Sequence, residues 1–262
     1  MESAPCSDSR SQRSGKHRLN MRHIIESLGH LGGRELLRPL IERHFKHKIA
    51  LVSSFGAESA ALLHMVASID RSVPVIFLDT DKHFAETKLY RQRLVRQLEL
   101  SDVRVVRPLA SDIAREDAQG VLHRSDADRC CQIRKTLPLH GALQGFDAWI
   151  TGRKRFHGGA RSGLPMMEMI DGRLKIDPLA HYARQDIIDY MWMNELPDHP
   201  LAAAGYTSIG CMPCTAKTGN GDDPRAGRWA GQKKTECGIH WSINGRVIRV
   251  TSPAGELAAS GC

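Results

Sequence analysis

The sequence predicts an α/β protein: an open, mainly parallel sheet with helices on both faces, trailed by a loop-rich C-terminal lobe. Short apolar runs alternate with amphipathic stretches of helical period, as parallel strands joined by right-handed crossovers require. The first run opens into Ser53-Ser-Phe-Gly-Ala-Glu-Ser59, mostly small residues placed just before a helical pattern. From Gly205 onward, Gly, Pro and polar residues dominate.

In order along the chain, residues 34–46 are amphipathic, although Pro39 argues against one continuous helix. Ile49 to Ser53 is a buried strand, and Ala57 to Ile69 is apolar at helical spacing. Val73 to Asp79 is a second buried strand that ends in a carboxylate. His83 to Leu98 is a helix with a charged and an apolar face, and Val103 to Arg107 a third strand. Asp128 to Leu143 is helical with an interruption at Pro138. Ala148 to Gly152 is a fourth strand running into a Gly- and Arg-rich loop. Leu174 to Leu179 gives a short strand and Gln185 to Leu196 a helix, after which Pro197 and Pro200 stop regular structure. Arg246 to Val250 gives a short terminal strand.

The bulk properties bound the function. A chain of 262 residues holds one α/β domain plus a small appendage. No apolar run approaches the ~18 residues of a membrane span. Met1 to Asn20 is rich in Ser, Arg and Lys without an apolar stretch, so a disordered leader is expected rather than a secretory signal. The net charge is +8. Arg153, Lys154, Arg155, His157 and Arg161 lie in one segment without an acid, and Arg225, Arg228, Lys233 and Lys234 in another. Two short basic segments suit a compact anion better than nucleic acid, which needs a broad basic stripe.

Position gives the Ser53–Ser59 segment its chemistry. Small residues let backbone amides at a helix start approach an anion, and the helix dipole favours negative charge there. Ser54 and Ser59 add hydroxyl donors, and Gly56 allows close approach. Ligands of open parallel sheets sit at the carboxyl ends of the strands, so Asp79 and Gly152 should border the same crevice.

The chain holds seven cysteines. Without an export signal disulfides are a poor default, and a cytoplasmic protein is expected. Cys130-Cys131 and Cys211-Met-Pro-Cys214 together offer four soft ligands, as a sulfur-coordinated metal site requires. Adjacent helical side chains diverge by about 100°. That favours a cluster with several ligand directions, but spacing alone leaves iron–sulfur and zinc both open. Cys237 lies among Lys233, Lys234 and His240, cations that lower a thiol pKa, while Glu236 acts the other way. Cys6 and Cys262 sit in poorly patterned termini.

Several motifs carry a resemblance. Ser54-Phe-Gly-Ala-Glu-Ser59 resembles the PP-loop of the adenine-nucleotide α-hydrolase superfamily, commonly Ser-Gly-Gly-x-Asp-Ser. Phe55 replaces a glycine and Glu58 the aspartate, which counts against an ATP pyrophosphatase. Asp128-Arg-Cys-Cys-Gln-Ile-Arg-Lys-Thr-Leu-Pro-Leu139, Gly210-Cys-Met-Pro-Cys-Thr215 and Glu236-Cys-Gly-Ile-His240 resemble the signatures of cluster-containing sulfonucleotide reductases. The resemblance spans about residues 34–240. It implies a 4Fe-4S cluster on Cys130, Cys131, Cys211 and Cys214, and Cys237 as nucleophile. It implies substrate binding by Ser54, Gly56, Ser59, Lys135, Arg153, Arg225, Arg228 and His240, with adenine near the backbone of Leu78. Arg161 departs from the family's commoner form and is a weaker candidate.

The implied reaction is reduction of adenosine 5'-phosphosulfate to sulfite and AMP in sulfate assimilation and cysteine biosynthesis. Thioredoxin or a similar thiol is the implied reductant, through a cysteine thiosulfonate. The alternatives are the 3'-phosphorylated nucleotide as substrate, a PP-loop tRNA sulfur-transferase, and a zinc-stabilised nucleic-acid-binding module. Composition and motifs together divide the chain into a leader (1–20), a nucleotide-binding α/β domain (21–204), a cluster-binding and catalytic tail segment (205–240) and an extension (241–262). The resemblance also implies a homo-oligomer, while the apolar and basic patterning leaves neither nucleic acid nor membrane as an expected partner.

Overall fold

The computed structural model describes residues 19–219, 223–232 and 234–240. The expected strand at 246–250 and most of the expected leader lie outside them; residues 19 and 20 belong to helix α1 (19–28). Helix α2 (Gly33–Pro39) opens into a π-turn over Leu40–His44. Pro39 has no N–H to continue the regular ladder, and Phe45 N–H bonds instead to Leu40 O at 2.9 Å.

The expected strands and crossovers follow. They are β1 (Ile49–Val52), α3 (Ser59–Ala67), β2 (Val75–Leu78), α4 (Ala85–Gln97) and β3 (Val103–Val106). Short helices α5 (Ala110–Glu116) and α6 (Leu122–Ser125) lead to α7 (Ala127–Cys131), a π-turn over Gln132–Thr136, and α8 (Leu137–Ala142). The expected break at Pro138 comes earlier, as this π-turn, and Pro138 sits in the first turn of α8. Strands β4 (Ala148–Ile150), β5 (Met167–Ile170) and β6 (Arg173–Ile176) and helix α9 (Arg184–Met193) complete the domain.

The sheet order is β3-β2-β1-β4-β6-β5, parallel throughout except for β5, which pairs antiparallel with β6. Strand β5 is absent from the sequence-based expectation, although its signal is present. Asp171-Gly172 joins it to β6, both with positive φ (49° and 77°), the two-residue hairpin that favours Asp-Gly.

All residues of β1 and β2 are buried because both faces of the sheet are covered. Ile49, Leu51, Val75 and Phe77 face the larger core with α1, α2, α3 and α9. Ala50, Val52, Ile76 and Leu78 face the smaller one with Leu139 of α8 and Leu143 just after it. The chain leaves β1 toward β2 on one side and returns to β4 on the other. The carboxyl end of β1 is therefore the switch point where such sheets bind ligands.

Candidate active site

A cleft of about 190 Å³ opens at that switch point. The loop from Ser53 to Ser59 (except Phe55), Leu78 and Thr151 to Lys154 line it from the strand ends, and Arg225, Arg228, Trp229, Glu236, Cys237, Ile239 and His240 from the C-terminal lobe. Asp79 is not among the lining residues.

The phosphate loop keeps its shape by two devices. Phe55 takes φ 49°, a conformation that favours glycine, and its fully buried ring packs edge-on against Phe77 at 5.6 Å. Core packing thus holds the strained backbone where a glycine commonly stands. Glu58 accepts from Lys154 Nζ at 2.7 Å and from His157 Nε2 at 3.2 Å. Burial raises its carboxyl pKa, but these partners outweigh burial and leave it at about 2. Ser59 N–H bonds to Gly56 O at 3.1 Å, closing the turn into α3.

The basic segments prove to be matched by acids from distant sequence. Arg153 lines the cleft, but its guanidinium bonds to Glu168 at 2.5 Å and Asp177 at 2.7 Å. Arg161 takes both oxygens of Glu236, at 2.5 and 2.8 Å, and Arg225 lies 3.5 Å from the same carboxylate. Burial first, then Arg161, lowers the Arg225 pKa to about 10. Arg228 stacks over Trp229, 4.5 Å from its ring centre. Among the described residues, Lys135 and Arg228 have no carboxylate partner in an ion pair. Gly210 makes room for Arg228, since a Cβ there would stand 2.3 Å from the guanidinium.

Cys130, Cys131, Cys211 and Cys214 line one cavity beside the cleft, together with Lys135, Arg228 and Trp229. All four thiols are free, and burial pushes Cys130 up to about 11. Among the described residues, no three His, Cys, Asp or Glu side chains are arranged around a single metal ion. The donor chemistry nevertheless fits an iron–sulfur cluster: four soft thiols round one cavity, with the buried Trp229 Nε1–H lacking any partner in its wall. Thr80 Oγ1 is 3.2 Å from Cys211 Sγ. The π-turn after Cys131 places Lys135 in the lining of both cavity and cleft.

Cys237 is buried at the seam between the two spaces, in a cluster with Cys131 and Trp229. A hydrogen bond from Cys131 holds its thiol pKa down; burial opposes this, and Lys135 and a backbone bond from Ile239 add to it. His240 is buried in the cleft wall, and burial and nearby cations keep its ring neutral. Its carbonyl accepts from Lys175 Nζ at 3.3 Å.

The structure thus brings Cys237, Ser54, Gly56, Ser59, Leu78, Lys135, Arg153, Arg225, Arg228 and His240 to one cleft. Sequence reasoning missed Trp229 and His83 as lining residues and placed Lys154 and His157 only within a basic segment suited to an anion. His83 donates to Leu78 O at 2.9 Å, and burial lowers its pKa to about 4. Spacing gives no hint of it; a histidine just past a strand end at the switch point is the available signal.

A cleft at the switch point of a mostly parallel sheet, with one buried thiol in its wall and four more beside it, defines an α/β protein of the class that binds ligands at its strand ends. Residues 48–217 match the model of the phosphoadenosine phosphosulfate reductase domain. A protein named adenosine 5'-phosphosulfate reductase from Mesorhizobium japonicum is 50% identical, over 82% of this chain and 84% of its own. One of the same name from Chelativorans sp. is 48% identical, over 81% and 87%. A phosphoadenosine 5'-phosphosulfate reductase from Gloeobacter violaceus is 36% identical, over 86% and 95%. The crystal structure of a phosphoadenylyl-sulfate reductase from Candida auris, in a phosphate complex, shares the fold. Its TM-score is 0.64 at 24% identity, covering 75% of this chain and 96% of that one. The chain belongs to the phosphoadenosine phosphosulfate reductase family.

Proposed function

We propose that this oxidoreductase reduces adenosine 5'-phosphosulfate to sulfite and AMP in assimilatory sulfate reduction, with Cys237 as the nucleophile. One observation carries the reading. Lys135 and Arg228, without carboxylate partners among the described residues, line both the cleft and the cysteine cavity, and Cys237 stands between. The family and the relatives named for the unphosphorylated nucleotide support the substrate.

The nucleotide lies with its base at the end of β2 near Leu78 and its phosphate on the Ser54–Ser59 loop. Its sulfate faces Lys135, Arg225, Arg228 and Cys237. The Cys237 thiolate attacks the sulfur, the bond from sulfur to the bridging oxygen breaks, and AMP leaves with the electron pair. The phosphate gains charge as it departs, and fixed cations and loop amides stabilise it. The product is a thiosulfonate on Cys237. A thiolate of a dithiol carrier such as thioredoxin attacks the Cys237 sulfur and expels sulfite. The carrier's second thiol then resolves the mixed disulfide, so the carrier supplies both electrons.

Cys130, Cys131, Cys211 and Cys214 would hold a 4Fe-4S cluster. Thiols arranged round a cavity suit a cluster that takes one ligand per iron, whereas a single zinc ion takes four at one point. When bound, the cluster supplies electrostatic and structural support beside the substrate's sulfate. Cys131 then has no proton to donate to Cys237, which leaves Lys135 as the main group favouring the thiolate. The cytoplasm keeps such thiols reduced. No helix among the described residues is long and apolar enough to cross a membrane.

The test is anaerobic: sulfite formation from adenosine 5'-phosphosulfate and from its 3'-phosphorylated form, with thioredoxin, alongside metal analysis of the same sample. Faster turnover of the unphosphorylated nucleotide by an iron-containing protein is expected. Preference for the 3'-phosphorylated form, or zinc in place of iron, would contradict the substrate or the cofactor respectively.

A further inference from the structure

The segment that carries Cys237 has little structure of its own. Its regular part is one short 3-10 turn, Gly238–His240, and no strand pairing holds residues 234–240. Something else must fix the sulfur. Glu236 is the candidate, because its carboxylate is the most heavily bonded group in the segment.

Arg161 grips both carboxylate oxygens, Nε to Oε2 at 2.5 Å and Nη2 to Oε1 at 2.8 Å. Arg225 Nη2 approaches Oε1 to 3.5 Å, and the Cys237 N–H donates to the same oxygen at 3.0 Å. The side chains of Glu236 and Arg161 are only 7% and 10% exposed, so solvent screens the pair weakly. Arg161 is itself held. Its Nη1–H donates to His157 Nδ1 at 3.1 Å, which leaves His157 Nε2–H to donate to Glu58 at 3.2 Å. The arginine fork is thereby fastened to the Ser53–Ser59 loop through His157. At the other end of the segment, Lys175 holds the His240 carbonyl. Gly238 lets the backbone lie against the π-turn, where a Cβ would stand 3.1 Å from Thr136 Oγ1.

We propose that Glu236 is a positioning residue: its carboxylate, seated in the fork of Arg161 with Arg225 behind it, docks the tail and sets Cys237 Sγ in the cleft. The chemistry needs a carboxylate of this length. Glutamine turns one prong into an N–H₂ that faces the guanidinium, and aspartate falls a methylene short. The catalytic consequence rests on Cys237 being the nucleophile; the docking does not.

The experiment uses the full-length, cluster-loaded protein under anaerobic conditions. One arm measures the rate at which iodoacetamide alkylates Cys237 in the substrate-free enzyme, by mass spectrometry of its peptide. The other measures kcat and KM for sulfite formation. Glu236→Gln should raise the alkylation rate by about tenfold or more, as loss of a charge-assisted hydrogen bond implies. It should lower kcat by a similar factor and change KM by less than about threefold. Arg161→Gln should do the same, and the double variant should be no worse than either single one, because both remove one contact. An unchanged alkylation rate, or additive effects in the double variant, overturns the proposal. A fall in KM with kcat intact also overturns it, since Glu236 would then compete with the substrate for the arginines. If a Cys237→Ser variant still makes sulfite, the nucleophile assignment fails, while the alkylation arm still decides the docking.

Discussion

The Ser53–Ser59 loop and the tail segment that carries Cys237 lie far apart in sequence, yet the same short segment fastens both by the same chemistry. Glu58 in the loop binds Lys154 and His157; Glu236 in the tail binds Arg161. The difference lies in what else holds each region. The loop bridges β1 and α3, and Phe55 nails it into the main core. The tail has a three-residue turn and is held mainly by polar contacts: Arg161 and Arg225 to Glu236, Lys234 to Asp128, and Lys175 to the His240 carbonyl. One ion pair therefore stabilises a part that must stay put. The other secures a part that carries the Cys237 thiol, the nucleophile of the proposed reaction.

The largest effect separates chemistry from structure. Cys237→Ser should abolish sulfite formation, a drop of about 10³-fold or more. Its melting temperature and visible cluster absorption should stay those of the parent. Residual turnover above background would show that another group does the chemistry.

Next comes stability. Glu58→Gln breaks a buried pair in the scaffold and should cost about 3 kcal/mol in chemical denaturation, from a carboxyl pKa near 2 against 4.5. Glu236→Gln should cost less, although its carboxyl also sits at about 2, because undocking of the short tail limits the loss to that segment's own docking energy. Equal costs for the two would erase the contrast.

The pH dependence follows from the same shift. The folded-state pKa of Glu58 is depressed, so its contribution is fully present above pH 4.5 and is lost as pH falls toward 2. The stability difference between parent and Glu58→Gln should therefore shrink over that window and hold constant above it. A difference independent of pH would mean that Glu58 acts by packing.

The smallest effect probes the link between the regions. His157→Phe removes the acceptor that orients Arg161 and should raise Cys237 alkylation by about two- to threefold, less than changing Arg161 itself.

Much of this was legible in the sequence because the signals are local. Strand-length apolar runs, the loop after β1 and the cysteine pairs each declare themselves within a few residues. The charge pairing did not. Arg153, Arg161 and Arg225 stand in acid-free segments, which pointed to free cations awaiting an anion. Folding gives them Glu168, Asp177 and Glu236, whose approach depends on sheet order and tail docking. Arg161, the weaker candidate for substrate, pairs with Glu236 of the tail. Of the lysines and arginines that line the cleft, Lys135 and Arg228 are left unmatched by carboxylates among the described residues, and no sequence window distinguishes them. Strand β5 was hidden by its methionines, although the Asp171-Gly172 turn marks it.

The most direct measurement mixes the cluster-loaded enzyme with adenosine 5'-phosphosulfate bearing radiolabelled sulfur, in the absence of any thiol, and maps the label by peptide mass spectrometry. The account predicts close to one SO₃ group per chain on the Cys237 peptide, released as sulfite when thioredoxin is added. Label on another cysteine, or sulfite formed with no labelled intermediate, would contradict it.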